Sequence, residues 1–300
     1  MGIEFQGTAQ GARPGNLIQF NFNKTVIAYT VGITAFRLSY GSNDDHWVQN
    51  LVIKISGGVN ESPVAVPNQV GVTVTMELQD SSGHSIDPSN SVVWPMCIAI
   101  TDSAQVNTNM SNVYGISNNS YQTVSLPNSQ SGYSVANSFL SGFNLSYNNG
   151  DHQVLLAQAG CGLSPNYSTS SGQLSASAAM QDAKGNKVDV ATIDAGYIAS
   201  AYSSPGFGVG EASNQTDNSL PVAINGLTSV SQAVVLIKNW RVQYNSVHNV
   251  QTLQVGSWGD LVFSDNTVTL PNLSAKLSDN SGHVQDDSSS SCDVLVVGLP

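Results

Sequence analysis

The stretch Phe36-Arg37-Leu38-Ser39-Tyr40, followed by Asp45-His46, occurs in related form at two later points of the chain. Residues i, i+2 and i+4 of an extended strand share one face, so the aromatic, the aliphatic and the Tyr of each form point the same way. The stretch therefore predicts a repeated core strand, which we call the signature strand. The later forms are Phe143-Asn144-Leu145-Ser146-Tyr147 before Asp151-His152, and Trp240-Arg241-Val242-Gln243-Tyr244 before His248.

The rest of the chain shows alternating apolar and polar residues with frequent turn signals, and no helical periodicity. We predict an all-β protein of three tandem β-sandwich domains, jelly-roll or Ig-like, of about 100 residues each. The predicted domains are 1–103, 104–203 and 204–300, and we expect the Ser/Asn/Gly-rich segments 104–131 and 203–219 to be connectors. A linear string and a packing around a pseudo-threefold axis both remain open.

Composition excludes several classes of partner. Charged residues make up 10% of the chain and the formal net charge is −11, whereas nucleic acid and anionic lipid need a basic face. No apolar run reaches the roughly 18 residues of a membrane span, and Met1–Gln6 does not resemble a secretory signal. We expect no nucleic acid and no membrane insertion, and an extracellular or particle-associated location. An odd set of three cysteines predicts free buried thiols: Cys97, Cys161 and Cys292.

A second repeated pattern, Asp-x-x-Gly-x-x-x-Asp, begins at Asp80, Asp182 and Asp279. Asp and Gly are the residues that a tight hairpin needs, which is the structural interpretation, and Ca²⁺ is the functional alternative because carboxylates are hard oxygen ligands. All five histidines fall in two repeat positions. Such placement indicates a shared task, either bracing a loop or facing a ligand. After the signature strand lie His46, His152 and His248, and in the hairpin lie His84 and His283, with Asn186 in the second copy.

A zinc site needs three or four converging ligands, and in the first copy His46 and His84 with an Asp could supply them; the candidates are His46, Asp80, His84 and Asp87. The second copy lacks the hairpin His, and the third has Val247 where the others have Asp. A protein with three equal metal sites is therefore not expected, and we predict no cofactor, with Ca²⁺ as the ion to consider.

Trp47 follows a polar loop and is therefore predicted to be exposed, so that its indole ring could stack on a sugar ring. The candidate ligand-binding residues are Asp45, His46, Trp47, Asp151, His152 and His248. Since no catalytic motif is present, we predict that the chain is not an enzyme.

Our main hypothesis is a recognition or adhesion protein with lectin-like carbohydrate binding through the repeated Asp-His loops, whose partner is a cell-surface glycan or protein. The alternative is a self-assembling structural component, such as a fibre, decoration or surface-layer subunit of a viral or bacterial assembly. A hydrolytic enzyme is the third hypothesis.

Overall fold

The computed structural model describes residues 2–41, 44–58, 67–101, 107–129, 132–201, 205–214, 218–284 and 289–300. Its named elements are all β-strands, which confirms the all-β class. No helix within these ranges is long and apolar enough to cross a bilayer. In chain order the strands are β1 (Ile3–Gly7), β2 (Leu17–Asn21), β3 (Ala28–Ser39), β4 (Asn50–Gly58), β5 (Gln69–Gln79), β6 (Val92–Ile100), β7 (Thr108–Ser117), β8 (Tyr121–Ser125), β9 (Val135–Ser146), β10 (Val154–Asn166), β11 (Ser171–Gln181), β12 (Val190–Ser200), β13 (Gly208–Asn214), β14 (Asn218–Ala223), β15 (Gln232–His248), β16 (Thr252–Gly256), β17 (Val262–Ser264), β18 (Thr267–Ser278) and β19 (Ser291–Leu299).

The strands form three sheets. Sheet I has the order β1-β6-β3-β16-β18-β14, with β17 also paired to β18, and sheet II has the order β2-β5-β4-β9-β12-β7. Sheet III has the order β13-β19-β15-β10-β11-β8. The paired strands are antiparallel throughout the assigned registers.

Sheets II and III each take three strands from one predicted segment and three from another, and sheet I takes three strands from the first segment and four from the third. The central pairs β3–β16, β4–β9 and β10–β15 make this join, and each contains one signature strand. The first and third segments share sheet I, so the three sheets follow one another cyclically. The sheets therefore cross the predicted boundaries after residues 103 and 203, whereas separate tandem sandwiches would keep each sheet within one segment.

The signature strands meet at the centre of the molecule through their first aromatic residues. The ring centroids of Phe36 and Phe143 lie 5.5 Å apart, and Trp240 lies 5.8 Å from the first and 5.2 Å from the second. All three side chains are fully buried, as are Leu38 and Leu145 further along the strands. The prediction that the signature strand supplies core residues is confirmed.

A β-bulge precedes each of these aromatic residues. Thr34, Ser141 and Lys238 are the extra residues in the pairings of β3 with β6, β9 with β12 and β15 with β19. Each lies two positions before Phe36, Phe143 or Trp240. A bulge bends its strand and increases the local twist, so the aromatic side chains reach the centre at a matching place in all three sheets.

Both predicted connectors contain strands. Segment 104–131 holds β7 and β8, and segment 203–219 holds β13 and the start of β14. Because β7, β8, β13 and β14 are outer strands of their sheets, much of their surface is polar and their composition resembles that of a loop. The prediction of free connectors was wrong for this reason. The three cysteines are buried and unbridged, as predicted.

Candidate functional site

Three loops, one after each signature strand, are joined into a closed ring by backbone pairing. His46 pairs with Val250, Val48 pairs with His152, and Val154 pairs with His248. The first of these contacts has hydrogen bonds in both directions, from His46 N to Val250 O at 3.1 Å and from Val250 N to His46 O at 2.8 Å. The repeated histidines therefore sit at the junctions where one copy meets the next.

The Asp-x-x-Gly element forms a tight hairpin whose first Asp binds the turn backbone. Asp80 Oδ1 accepts hydrogen bonds from the backbone N of Ser82 and of His84, both at 2.9 Å. Asp182 and Asp279 accept the equivalent bonds in their own hairpins. The Gly of each turn has a positive φ, which an L-residue rarely adopts. This confirms the hairpin interpretation of the pattern: Gly83, Gly185 and Gly282.

The His after each signature strand lies between the signature Tyr and the hairpin Asp. The His46 ring centroid lies 4.9 Å from that of Tyr40, and the Nδ1 atom lies 3.3 Å from Asp80 Oδ2. The corresponding Nδ1–Oδ2 distances are 3.0 Å for His152 and Asp182 and 3.2 Å for His248 and Asp279. All three histidines are largely buried, so they pack as part of the loop.

A second group reaches the same Asp oxygen from within the hairpin. His84 Nδ1 lies 2.6 Å from Asp80 Oδ2, and His283 Nδ1 lies 2.9 Å from Asp279 Oδ2. In the second copy Asn186 Nδ2 donates to Asp182 Oδ2 at 2.7 Å. We call the surroundings of Asp80, Asp182 and Asp279 the first, second and third junction. The first and third each gather two imidazoles and one carboxylate, with the ligand atoms within 4.8 Å of one another.

The Asp before the loop His contacts the hairpin of a different copy. Asp151 Oδ2 accepts a hydrogen bond from Ser81 N, and Asp45 Oδ2 accepts one from Asn280 N, both at 3.2 Å. Val247, the equivalent residue of the third copy, lines a cavity beside Asp182 of the second. The predicted Asp-His pairs are thus adjacent in sequence but serve different junctions.

Hydrogen bonding holds the hairpin carboxylates in the ionised state. Burial acts to raise the pKa of Asp80, but hydrogen bonds from His84 and Ser82 outweigh it and lower this pKa to about 2. Burial is likewise outweighed at Asp279, whose pKa falls to about 2, and the pKa of Asp182 is lowered by Asn186 and His152. These carboxylates are negative over the physiological pH range.

Two sequence candidates, Asp87 and Trp47, do not belong to these His–Asp groups. Asp87 accepts hydrogen bonds from Ser89 N at 2.8 Å and Asn90 Nδ2 at 2.5 Å in its own turn, and it does not belong to the cluster of His46, Asp80 and His84. The proposed grouping of Asp87 with those ligands is therefore corrected.

Trp47 is half exposed and borders a cavity of about 220 Å³ at the second junction. This volume is below the roughly 300–1,000 Å³ of typical small-molecule sites. Comparison of the three repeats did not identify the signature tyrosines as part of the site, although they pack on the histidines: Tyr40, Tyr147 and Tyr244. Their place on the strand signalled only a core role.

Comparison with known proteins found no matching family model and no matching curated protein. Among solved structures, VP17, a capsid protein of bacteriophage P23-77, is 10% identical over 100% of this chain and 97% of that chain, with a TM-score of 0.11. The VP16-VP17 complex of the two major capsid proteins of bacteriophage P23-77 is 11% identical over 99% and 97%, also with a TM-score of 0.11. Similarity at this level carries no structural argument.

Proposed function

We propose that the chain is a non-enzymatic structural subunit that assembles with further copies of itself into a particle, fibre or surface layer. The observation that carries this proposal is the chemistry of the sheet edges. The edge strands β2 and β7 of sheet II, β8 of sheet III and the short β17 of sheet I contain neither a charged residue nor a proline. Sheets of monomeric proteins usually protect their edges with such residues.

Large apolar side chains are exposed along the same edges. Leu17 on β2 is 64% exposed, Tyr121 on β8 is 58% exposed and Val262 on β17 is 61% exposed. Each of the three sheets thus has an edge strand that lacks charged residues and proline and that exposes a large apolar side chain. A neighbouring subunit would bury these groups by edge pairing or by side-chain contact.

Two further features support a scaffold over an enzyme or a lectin. Charged residues, which are depleted at the centres of protein interfaces, make up only 10% of the chain. Three of the residues proposed for ligand binding, Asp45, Asp151 and His152, form hydrogen bonds between loops and hairpins. Their geometry is explained by holding the ring of loops together.

Mass photometry and negative-stain electron microscopy over a concentration series test the proposal. We expect species larger than the 31.4 kDa monomer. The double variant Leu17→Lys/Tyr121→Lys, which places charges on edges of sheets II and III, should return to the monomer. Ile27→Lys is the matched control, because Ile27 is 57% exposed and lies outside the strands. A wild-type chain that stays monomeric up to its solubility limit overturns self-assembly.

A glycan array separates this proposal from the lectin hypothesis. The structural subunit should give no selective hit. A reproducible hit that disappears in the triple variant His46→Ala/His152→Ala/His248→Ala, with the far-UV circular dichroism retained, would favour recognition instead. An array hit that survives the triple variant would place any sugar contact outside the ring of loops.

A further inference from the structure

The three junctions differ in how the loop His meets the hairpin Asp. At the second junction His152 Nδ1 and Asn186 Nδ2 both form hydrogen bonds with Asp182 Oδ2. At the first junction His84 Nδ1 takes that role at 2.6 Å, and His46 Nδ1 lies 3.3 Å from the same oxygen. Among the described residues, His46 Nδ1 forms no aligned hydrogen bond. It therefore faces the carboxylate oxygen that His84 Nδ1 and Ser82 Oγ already contact.

The third junction repeats this arrangement. His283 Nδ1 binds Asp279 Oδ2 at 2.9 Å, and His248 Nδ1 lies 3.2 Å from that oxygen without an aligned hydrogen bond within the described part of the chain. Ser246 Oγ lies 3.0 Å from His248 Nε2, on the far side of the ring. When Nε2 is the protonated nitrogen, Nδ1 turns a lone pair toward the carboxylate. Two electron-rich atoms at this distance favour a cation between them.

We propose that the chain binds two divalent transition-metal ions, one held by His46, Asp80 and His84 and the other by His248, Asp279 and His283. Two imidazole nitrogens and one carboxylate form a donor set that suits Zn²⁺ and its transition-metal neighbours, whereas Ca²⁺ requires oxygen ligands. Three protein ligands leave one position of a four-coordinate ion for a water molecule.

The distances fit such an ion after a small movement. Tetrahedral Zn²⁺ with bonds near 2.0–2.1 Å separates its ligand atoms by about 3.3 Å. His46 Nδ1 and Asp80 Oδ2 already lie 3.3 Å apart. His84 is the ligand that must move, because its ring is stacked on His46 with centroids 3.9 Å apart. Its side chain is 54% exposed, so it is free to rotate toward the ion.

The second junction differs in the other groups around the carboxylate as well. Its hairpin carries Lys184 where Ser82 stands in the first junction, and Val247 replaces the carboxylate that Asp151 supplies there. The third junction has Ser281 and Asp45 in these places. The hairpin His, the Ser and the extra carboxylate thus occur together at two junctions and are all missing from the second, which makes it an internal control.

Zinc titration of the full, untagged chain after dialysis against EDTA tests the proposal, with the bound metal counted by elemental analysis. We expect two Zn²⁺ per wild-type chain, one in His84→Asn, one in His283→Asn and none in the double variant. Asn already occupies this position in the second hairpin, so these variants retain a hairpin contact that the fold accommodates. Circular dichroism verifies the fold of each variant.

A gain of binding provides the second test. The triple variant Lys184→Ser/Asn186→His/Val247→Asp gives the second junction the groups of the other two and should bind a third Zn²⁺. The visible spectrum of Co²⁺-loaded protein should show nitrogen-containing coordination that scales with the number of sites. A wild-type chain that retains no Zn²⁺, or a double variant that still retains two, overturns the proposal.

Discussion

Replacing Phe143 by Ala tests whether the aromatic cluster makes the three sheets one cooperative unit. Phe143 is fully buried and contacts both Phe36 and Trp240 at centroid distances of 5.5 and 5.2 Å. A core Phe→Ala change costs about 3–5 kcal/mol, and the two lost aromatic contacts place this variant near 5 kcal/mol. With a urea m-value of about 3 kcal/mol/M, the midpoint should fall by about 1.7 M.

The assay needs a reporter far from the substitution. In a Trp47→Phe/Trp240→Phe background the remaining tryptophans are Trp94 and Trp258, whose rings meet at 4.9 Å. Both lie outside the second segment. If the shared sheets couple the segments, their fluorescence and the far-UV circular dichroism should shift to the same lower midpoint after Phe143→Ala.

A biphasic curve in which the tryptophan signal keeps its original midpoint would refute this reasoning, since it would mean that the second segment unfolds alone. The background itself is informative. Trp240 Nε1 is buried without a hydrogen-bond partner in the described residues, and Phe occupies the equivalent position in the other two signature strands. Removing the unsatisfied donor offsets part of the lost ring volume, so Trp240→Phe alone should change stability by less than about 1.5 kcal/mol.

Three other predictions concern the loops and turns. Asp151→Ala removes the acceptor of Ser81 N and should lower stability by about 0.5–1.5 kcal/mol in urea unfolding, and an unchanged midpoint would argue against coupling at this junction. Because the pKa of Asp80 is about 2, below the roughly 3.9 of an unfolded Asp, its contribution is complete above pH 4 and is lost as pH falls toward 2. The urea midpoint of Asp80→Asn should therefore depend less on pH in this window than that of the wild type. At Gly256 φ is +125° and an added Cβ would lie 2.5 Å from Ala35 Cβ, whereas at Gly83 φ is +102° and no atom lies within 4 Å of the added Cβ. Gly256→Ala should therefore lower the melting temperature more than Gly83→Ala. Equal losses would show that the clash is relieved at no cost.

The strands with a buried face could be predicted from the sequence because alternation is a local signal. Val72, Val74, Met76 and Leu78 are all buried on β5, as their spacing indicates. Outer strands do not give this signal. In β8 only Val124 is buried, so the strand reads as part of a polar segment. Its pairing with β11 supplies the hydrogen bonds that hold it extended.

The exchange of strands between segments could not be predicted from the sequence. A signature strand has the same apolar face whether its neighbour comes from its own segment or from another one. Phe36 lies opposite Val255, and Phe143 lies opposite Ile53, and any β-rich segment offers similar partners. The repeat indicates which strands are equivalent, but the choice among equivalent partners depends on how the complete set of sheets closes.

This exchange changes the meaning of the repeat's irregularities. In sequence, Asn186 and Lys184 are departures of the second copy and Val247 is a departure of the third, so these two copies each lack a different part of one motif. In the folded chain all three residues border the same cavity. The departures therefore belong to one junction, and the other two junctions are complete. For this reason sequence comparison argued against three equal metal sites, whereas the structure leads to a proposal of two.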